Sequence, residues 1–126
     1  MINKCLFPAA GYGSRFLPAT KSIPKELLPV LNKPLIQYGV EEARDAGITN
    51  MAMVTSRGKT AIENHFDQHP EISRLFSSGQ KAELLSEIDT LILQCSFSYI
   101  RQQEMKGLGH AILTGRSLIG NEPFGV

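Results

Sequence analysis

The chain has 126 residues, of which 42% are hydrophobic and 20% charged, a composition typical of one globular domain and not of a disordered chain. Its longest apolar run, residues 5–10, is far shorter than the roughly 20 residues of a membrane span, and no signal peptide is recognisable. The net charge of +1 divides into +4 over residues 1–33 and −3 over residues 34–126. Such a local basic excess suits a small anionic ligand, whereas a nucleic-acid binder is basic over a wider face.

Strands and helices are predicted to alternate along the chain. A continuous apolar run at residues 5–10 predicts a short buried strand, and residues 50–55 predict a second buried strand. Residues 96–101 predict a third strand, and a fourth begins at residues 124–126. Helical periodicity and helix-stop signals predict five helices, at residues 33–46, 59–66, 70–78, 80–93 and 107–119. Residues 16–32 contain three prolines and are expected to form a long ordered loop.

Strands separated by helices imply parallel pairing with right-handed crossovers. The predicted fold class is therefore α/β, with a doubly wound, mostly parallel sheet in a Rossmann-like, three-layer arrangement. Ligands of such sheets bind at the carboxyl ends of the strands. The loops that follow the first and third predicted strands both emerge at that edge, so we expect them to form the site.

The first of these loops is Gly11-Tyr12-Gly13-Ser14-Arg15-Phe16. Two glycines directly after a strand allow backbone N–H groups to approach a phosphate closely. The dinucleotide-binding fingerprint is not met, because Phe16 occupies its third small position and Pro18 disfavours an immediate helix. A Walker A loop would need Gly-Lys-Ser/Thr, which is absent. The loop is predicted to bind phosphate in another way, with a plain glycine turn as the alternative.

A proline-stiffened segment, residues 21–29, adds charged candidates. Lys25 is a mobile point charge suited to a triphosphate, and Arg15 offers a planar fork of donors. Glu26 either accepts a hydrogen bond from a ribose or base, or only orients Lys25. Solvent-exposed surface charge is the alternative interpretation of the whole segment.

The third motif follows the third predicted strand and contains Gln102 and the helix start at Gly107. A carboxamide both donates and accepts, which matches the edge of a pyrimidine. The three histidines show no metal-ligand spacing and are expected to be structural, so no metal ligand is predicted. The two cysteines, ninety positions apart without a CxxC pattern, predict free thiols and a cytoplasmic protein.

Taken together, these motifs resemble the bacterial UTP–glucose-1-phosphate uridylyltransferases. The resemblance covers nearly the whole chain, through residues 7–21, 23–29, 33–38, 40–43, 62–67 and 106–111. Ser14 stands where the family usually has threonine, which keeps the hydroxyl. The resemblance implies that residues 1–126 are the N-terminal, nucleotide-binding portion of a nucleotidyltransferase domain that continues past the fourth strand.

The resemblance also implies a reaction, in which glucose 1-phosphate attacks the α-phosphorus of UTP to give UDP-glucose and pyrophosphate. Arg15 and Lys25 would stabilise the phosphates. The implied nucleotide contacts are Ala10, Gly11, Gly13, Ser14, Glu26, Gln102 and Gly107. Mg²⁺ is the implied cofactor, with its ligands and the sugar-phosphate site beyond Val126, so this chain alone is expected to be inactive. A homo-oligomer at full length, with neither nucleic-acid nor membrane partners, is the further expectation.

Two other functions remain open. A thymidylyltransferase acting on glucose 1-phosphate shares the first loop, although residues 23–29 and 106–111 argue against it. A nucleotide-binding module without chemistry would carry the same loops.

Overall fold

The computed structural model describes all 126 residues. Its strands, in chain order, are β1 (Lys4–Pro8), β2 (Pro29–Val30), β3 (Lys33–Pro34), β4 (Asn50–Thr55) and β5 (Ser96–Arg101). Its α-helices are α1 (Leu35–Asp45), α2 (Thr60–His65), α3 (Pro70–Leu75), α4 (Gly79–Gln94), α5 (Leu108–Thr114) and α6 (Arg116–Ile119). No helix is both long and apolar enough to cross a membrane.

The central sheet is parallel, as the alternation of strands and helices predicts. Its order is β1-β4-β5, and both pairs run in parallel register. On the free side of β1, the backbone of Gly125 forms a parallel bridge to Cys5, with N–H···O distances of 2.8 and 2.9 Å. The predicted fourth strand is therefore represented by one bridge, next to β1.

Side chains that alternate along the strands supply two separate cores. On one face of the sheet, Cys5, Met51 and Met53 pack with buried residues of α1, α2 and α4. On the other face, Leu6, Ala52 and Val54 pack with residues of α5 and α6. Helices thus cover both faces, which confirms the three-layer, doubly wound α/β prediction.

The first predicted helix begins later than expected. Pro34 has extended backbone angles, φ −59° and ψ 141°, and lies before the first helical residue, Leu35. Lys33 and Pro34 instead pair antiparallel with β2. Within α1 the predicted inward positions are correct, because Ile36, Val40 and Ala43 are all buried.

The prediction of one continuous helix over residues 107–119 is wrong. The segment divides at Gly115 into α5 and α6. The Gly115 N–H is shared between the carbonyls of Ala111 and Ile112, at 3.2 and 3.1 Å, so the helix tightens there. The same glycine lies against Leu6 of β1, so a small residue at this position lets the helix pair approach the sheet.

The apolar stripe predicted on α4 is only partly buried. Leu91 is fully buried and Ile88 packs against the core, but Leu84 is 54% exposed. Only the C-terminal half of α4 therefore contacts the sheet. The loop over residues 16–32 is ordered as expected. Three 3-10 turns follow one another in this region, at Ser14–Phe16, Ala19–Lys21 and Lys25–Leu27.

Candidate functional site

The loops after β1 and β5 meet at a cavity of about 270 Å³ at the carboxyl edge of the sheet. Ala10, Gly11 and Tyr12 line one side, and Gln102 and Gly107 line another. Lys25, from the third 3-10 turn, closes the cavity near the first loop. The predicted meeting of the two loops at this edge is therefore confirmed.

The backbone of the first loop offers a row of free donors. None of the N–H groups of residues 10–15 has a hydrogen-bond acceptor in the protein. A backbone N–H without a protein partner requires water or a ligand. Successive free N–H groups in a turn form a concavity that binds anions. The loop therefore has the donors that a phosphate requires.

Two hydroxyl groups fix the carbonyls of this loop. Ser56 Oγ, just past β4, donates to the Ala10 carbonyl at 2.8 Å, and Thr20 Oγ1 donates to the Gly13 carbonyl at 2.6 Å. Gly13 has φ 68°, and a Cβ there would lie 3.1 Å from side-chain atoms of both Lys25 and Thr20. The sequence predicts neither hydroxyl contact; the only signal is that Ser56 directly follows a strand.

Lys25 and Glu26 point in different directions. A Cβ on Gly11 would lie 3.9 Å from Lys25 Nζ, and this amine forms no ion pair within the chain. Glu26 Oε1 accepts a hydrogen bond from Lys59 Nζ at 2.8 Å in a buried ion pair. Glu26 does not line the cavity. This arrangement favours the interpretation that Glu26 orients the turn that carries Lys25.

Gln102 is almost completely buried, at 4% exposed, at the end of β5. Its backbone N–H donates to the Thr55 carbonyl at 2.8 Å and so extends the β4–β5 pairing. Its side-chain Nε2 lies 2.8 Å from His110 Nδ1 of α5 and 3.5 Å from the Gly107 carbonyl. The amide nitrogen is thus engaged by the protein. No feature of the sequence predicts a role for His110 in the site.

The predicted site residues separate into two groups. Those that line the cavity are Ala10, Gly11, Lys25, Gln102 and Gly107. Those that do not are Gly13, Ser14, Arg15 and Glu26. Arg15 and Ser14 are exposed on the first 3-10 turn, and Arg15 has no acidic partner within the chain. The nucleotide and phosphate roles of both groups remain predictions.

A second, polar cavity of about 350 Å³ adjoins the first and shares Tyr12 and Gln102 with it. Arg57 and Arg101 line it, and neither forms an ion pair within the chain. No carboxylate lines either cavity. Basic side chains therefore line both cavities without carboxylates, which suits an anionic ligand with one flat, hydrogen-bonding group.

The comparisons with known proteins agree with this chemistry. The chain is 64% identical, over all its 126 residues, to a UTP–glucose-1-phosphate uridylyltransferase of Pseudomonas aeruginosa. It spans 45% of that relative's length.

Two solved structures are similar in fold. Apo UDP-glucose pyrophosphorylase matches with a TM-score of 0.95 at 60% identity, over 98% of this chain and 45% of that one. UDP-glucose pyrophosphorylase complexed with UDP-glucose matches with a TM-score of 0.84 at 57% identity, over 98% of this chain and 44% of that one. The sequence model of the nucleotidyl transferase family matches residues 6–126. The chain therefore belongs to the nucleotidyl transferase family.

Proposed function

We propose that this chain is the nucleotide-binding part of an enzyme that transfers a uridylyl group from UTP to glucose 1-phosphate, producing UDP-glucose and pyrophosphate. The observation that carries the proposal is the cavity at the sheet edge. It joins the free N–H groups of the first loop and the unpaired amine of Lys25 to the buried amide of Gln102. Phosphates fit the first part and a pyrimidine fits the second. The relatives' names support the same reaction.

The proposed chemistry needs no strong base, because the attacking oxygen of glucose 1-phosphate is already anionic. Positioning of the two substrates and stabilisation of charge on the phosphate oxygens are then the main contributions. The free N–H groups of residues 10–15 bind phosphate oxygens in this proposal. Lys25 stabilises the charge that develops as pyrophosphate leaves. Arg15, which is exposed and unpaired, supplies a second cation once substrate is bound.

Magnesium does not fit the residues of this chain. No group of three or more histidine, cysteine, aspartate or glutamate side chains is close enough together to hold a metal ion. Mg²⁺, with ligands beyond Val126, therefore remains a prediction from the resemblance.

Proposals on domain organisation and oligomeric state rest on the relatives, and the proposed location rests on the two cysteine thiols. Residues 1–126 form the N-terminal portion of a nucleotidyltransferase domain, and a homo-oligomer is proposed at the relatives' length. Cys5 and Cys95 are both free thiols, which supports a cytoplasmic location.

The test is an assay of the protein that carries this chain at its relatives' length. With UTP and glucose 1-phosphate we expect UDP-glucose and pyrophosphate in equal amounts, and UTP is expected to be used in preference to dTTP when both compete. Preferential use of dTTP would favour the thymidylyltransferase. Nucleotide binding with neither product formed would favour a module without chemistry.

A further inference from the structure

We propose that His110 is a positioning residue that fixes the side-chain amide of Gln102, so that the Gln102 oxygen accepts a hydrogen bond from the base. The site would then select a pyrimidine with a ring N–H, as in uracil, over cytosine. This inference rests on the proposed function, because it names how the same cavity distinguishes bases.

The hydrogen bond between the two side chains has a defined direction. An amide nitrogen donates and does not accept. Because Gln102 Nε2 lies 2.8 Å from His110 Nδ1, Nδ1 must be the unprotonated, accepting nitrogen of the ring. The neutral His110 ring then carries its proton on Nε2.

Only one atom of the Gln102 side-chain amide remains free to bind a ligand. Gln102 Nε2 also lies 3.5 Å from the Gly107 carbonyl oxygen, to which it can donate its second hydrogen. Gln102 Oε1 receives no hydrogen bond from the protein. Since Gln102 lines the cavity, its free oxygen is the atom offered there. The arrangement presents an acceptor, whereas the sequence predicts a donor and an acceptor together.

The backbone groups of Gln102 and His110 are both fixed by hydrogen bonds within the protein. Gln102 is buried and tied to β4 through the Thr55 carbonyl. His110 lies in the first turn of α5, and its carbonyl accepts a hydrogen bond from Thr114 Oγ1 at 2.8 Å. The side chain of Gln102 is therefore held at two points. Its backbone is paired with β4, and its Nε2 is bonded to the ring of His110.

This arrangement has a consequence for base selection. The ring nitrogen N3 of uracil carries a hydrogen and donates, whereas N3 of cytosine is an acceptor. A fixed oxygen pairs with the first and faces a lone pair on the second. Sites that leave polar groups unpaired with the wrong substrate discriminate strongly. Without His110, the amide is free to turn and present its nitrogen instead.

The kinetic test compares His110→Leu with His110→Asn, which retains an acceptor, in the protein at its relatives' length. We measure KM for UTP, the inhibition constant of CTP, and KM for pyrophosphate in the reverse reaction. For His110→Leu, discrimination between UTP and CTP is expected to fall about tenfold, the scale of one lost hydrogen-bond partner. KM for pyrophosphate is expected to stay unchanged, and His110→Asn to keep most of the discrimination.

Two results would overturn the proposal. One is unchanged discrimination in a folded His110→Leu protein. The other is equal weakening of UTP and pyrophosphate, which indicates a structural role. Should His110→Leu not fold, the ¹⁵N NMR spectrum of the unsubstituted protein decides. It is expected to show His110 with Nδ1 unprotonated, and a proton on Nδ1 refutes the assignment. This readout needs no turnover, so its failure is distinct from failure of the proposed function.

Discussion

Lys25 and Glu26 are adjacent in sequence but have opposite environments. Lys25 lines the cavity without a counter-ion, whereas Glu26 is buried and ion-paired with Lys59. Glu26 Oε2 has no hydrogen-bond partner, so the carboxylate depends on that single contact. Successive residues of a 3-10 turn point about 120° apart. The Glu26–Lys59 pair therefore anchors the turn on a different side from the amine of Lys25.

Replacing Lys59 tests this anchor. The Lys59→Met substitution leaves Glu26 buried without a counter-charge, and breaking a buried pair in this way costs about 3–5 kcal/mol. We expect urea unfolding at pH 7 to show a loss of this size. The matched control is Lys106→Met, because Lys106 pairs with Glu104 at an exposed site and surface pairs contribute little. Similar small losses in both variants would contradict the anchoring role.

At the scale of elements, α5 and α6 approach β1 closely at one glycine, Gly115. A Cβ on Gly115 would lie 2.5 Å from Leu6 Cδ1, inside the fully buried core of the second face. Gly115→Ala is therefore expected to destabilise the protein by about 1–3 kcal/mol through overpacking.

The control lies six residues earlier, within α5 itself. A Cβ on Gly109 meets nothing within 4 Å, so Gly109→Ala is expected to be neutral or stabilising, since alanine is the better helix former. Thermal unfolding of both variants measures the difference. Equal midpoints would show that the α5–α6 pair moves away from the sheet at no cost.

The contact between α1 and α2 is expected to depend on pH. His65 Nε2 donates to Gln37 Oε1 at 2.8 Å, and burial lowers the pKa of His65 below its ordinary value of 6.5, helped by nearby His69. The unfolded state then binds more protons than the folded state as pH falls below that value. Stability contributed here is present above pH 6.5 and is lost as the pH decreases through the lowered pKa.

This dependence is checked by the free energy of unfolding between pH 5 and 8, a range spanning the ordinary histidine pKa of about 6.5. We expect the protein to lose stability on the acidic side and His65→Gln to lose less. His69→Gln, at a more exposed histidine, is the control and is expected to keep most of the dependence. A His65→Gln curve parallel to that of the unsubstituted protein would exclude His65 as the cause.

At the scale of the whole molecule, the sequence predicts the sheet well. Residues 50–55 and 96–101 are strands with the predicted bounds. Residues 50–55 are buried except for Asn50, as expected for a central parallel strand with a largely apolar sequence. Parallel pairing follows from the alternation of elements, and the edge where the loops meet follows from parallel pairing. The positions of Ala10, Gly11, Lys25, Gln102 and Gly107 are predictable by this route.

What the sequence does not predict depends on contacts between distant residues. The Glu26–Lys59, Ser56–Ala10 and Gln102–His110 contacts join elements whose spacing is set only when the layers pack. The same applies to the close approach of Gly115 to Leu6, which is set by how α5 and α6 pack on β1. Helical periodicity likewise predicts a buried stripe on α4 without indicating how much of the helix lies over the sheet.

In the proposed reaction, the cavity at the sheet edge is where phosphate charge is stabilised during uridylyl transfer. The most direct measurement is the steady-state kinetics of Lys25→Ala in the protein at its relatives' length, with Lys81→Ala on the exposed surface of α4 as the control. We predict that kcat falls by about 10²–10³ for Lys25→Ala, because the lost amine stabilises charge that develops in the transition state, and that Lys81→Ala is unchanged. An unchanged kcat with only a raised KM for UTP would contradict this role of Lys25 in the transition state.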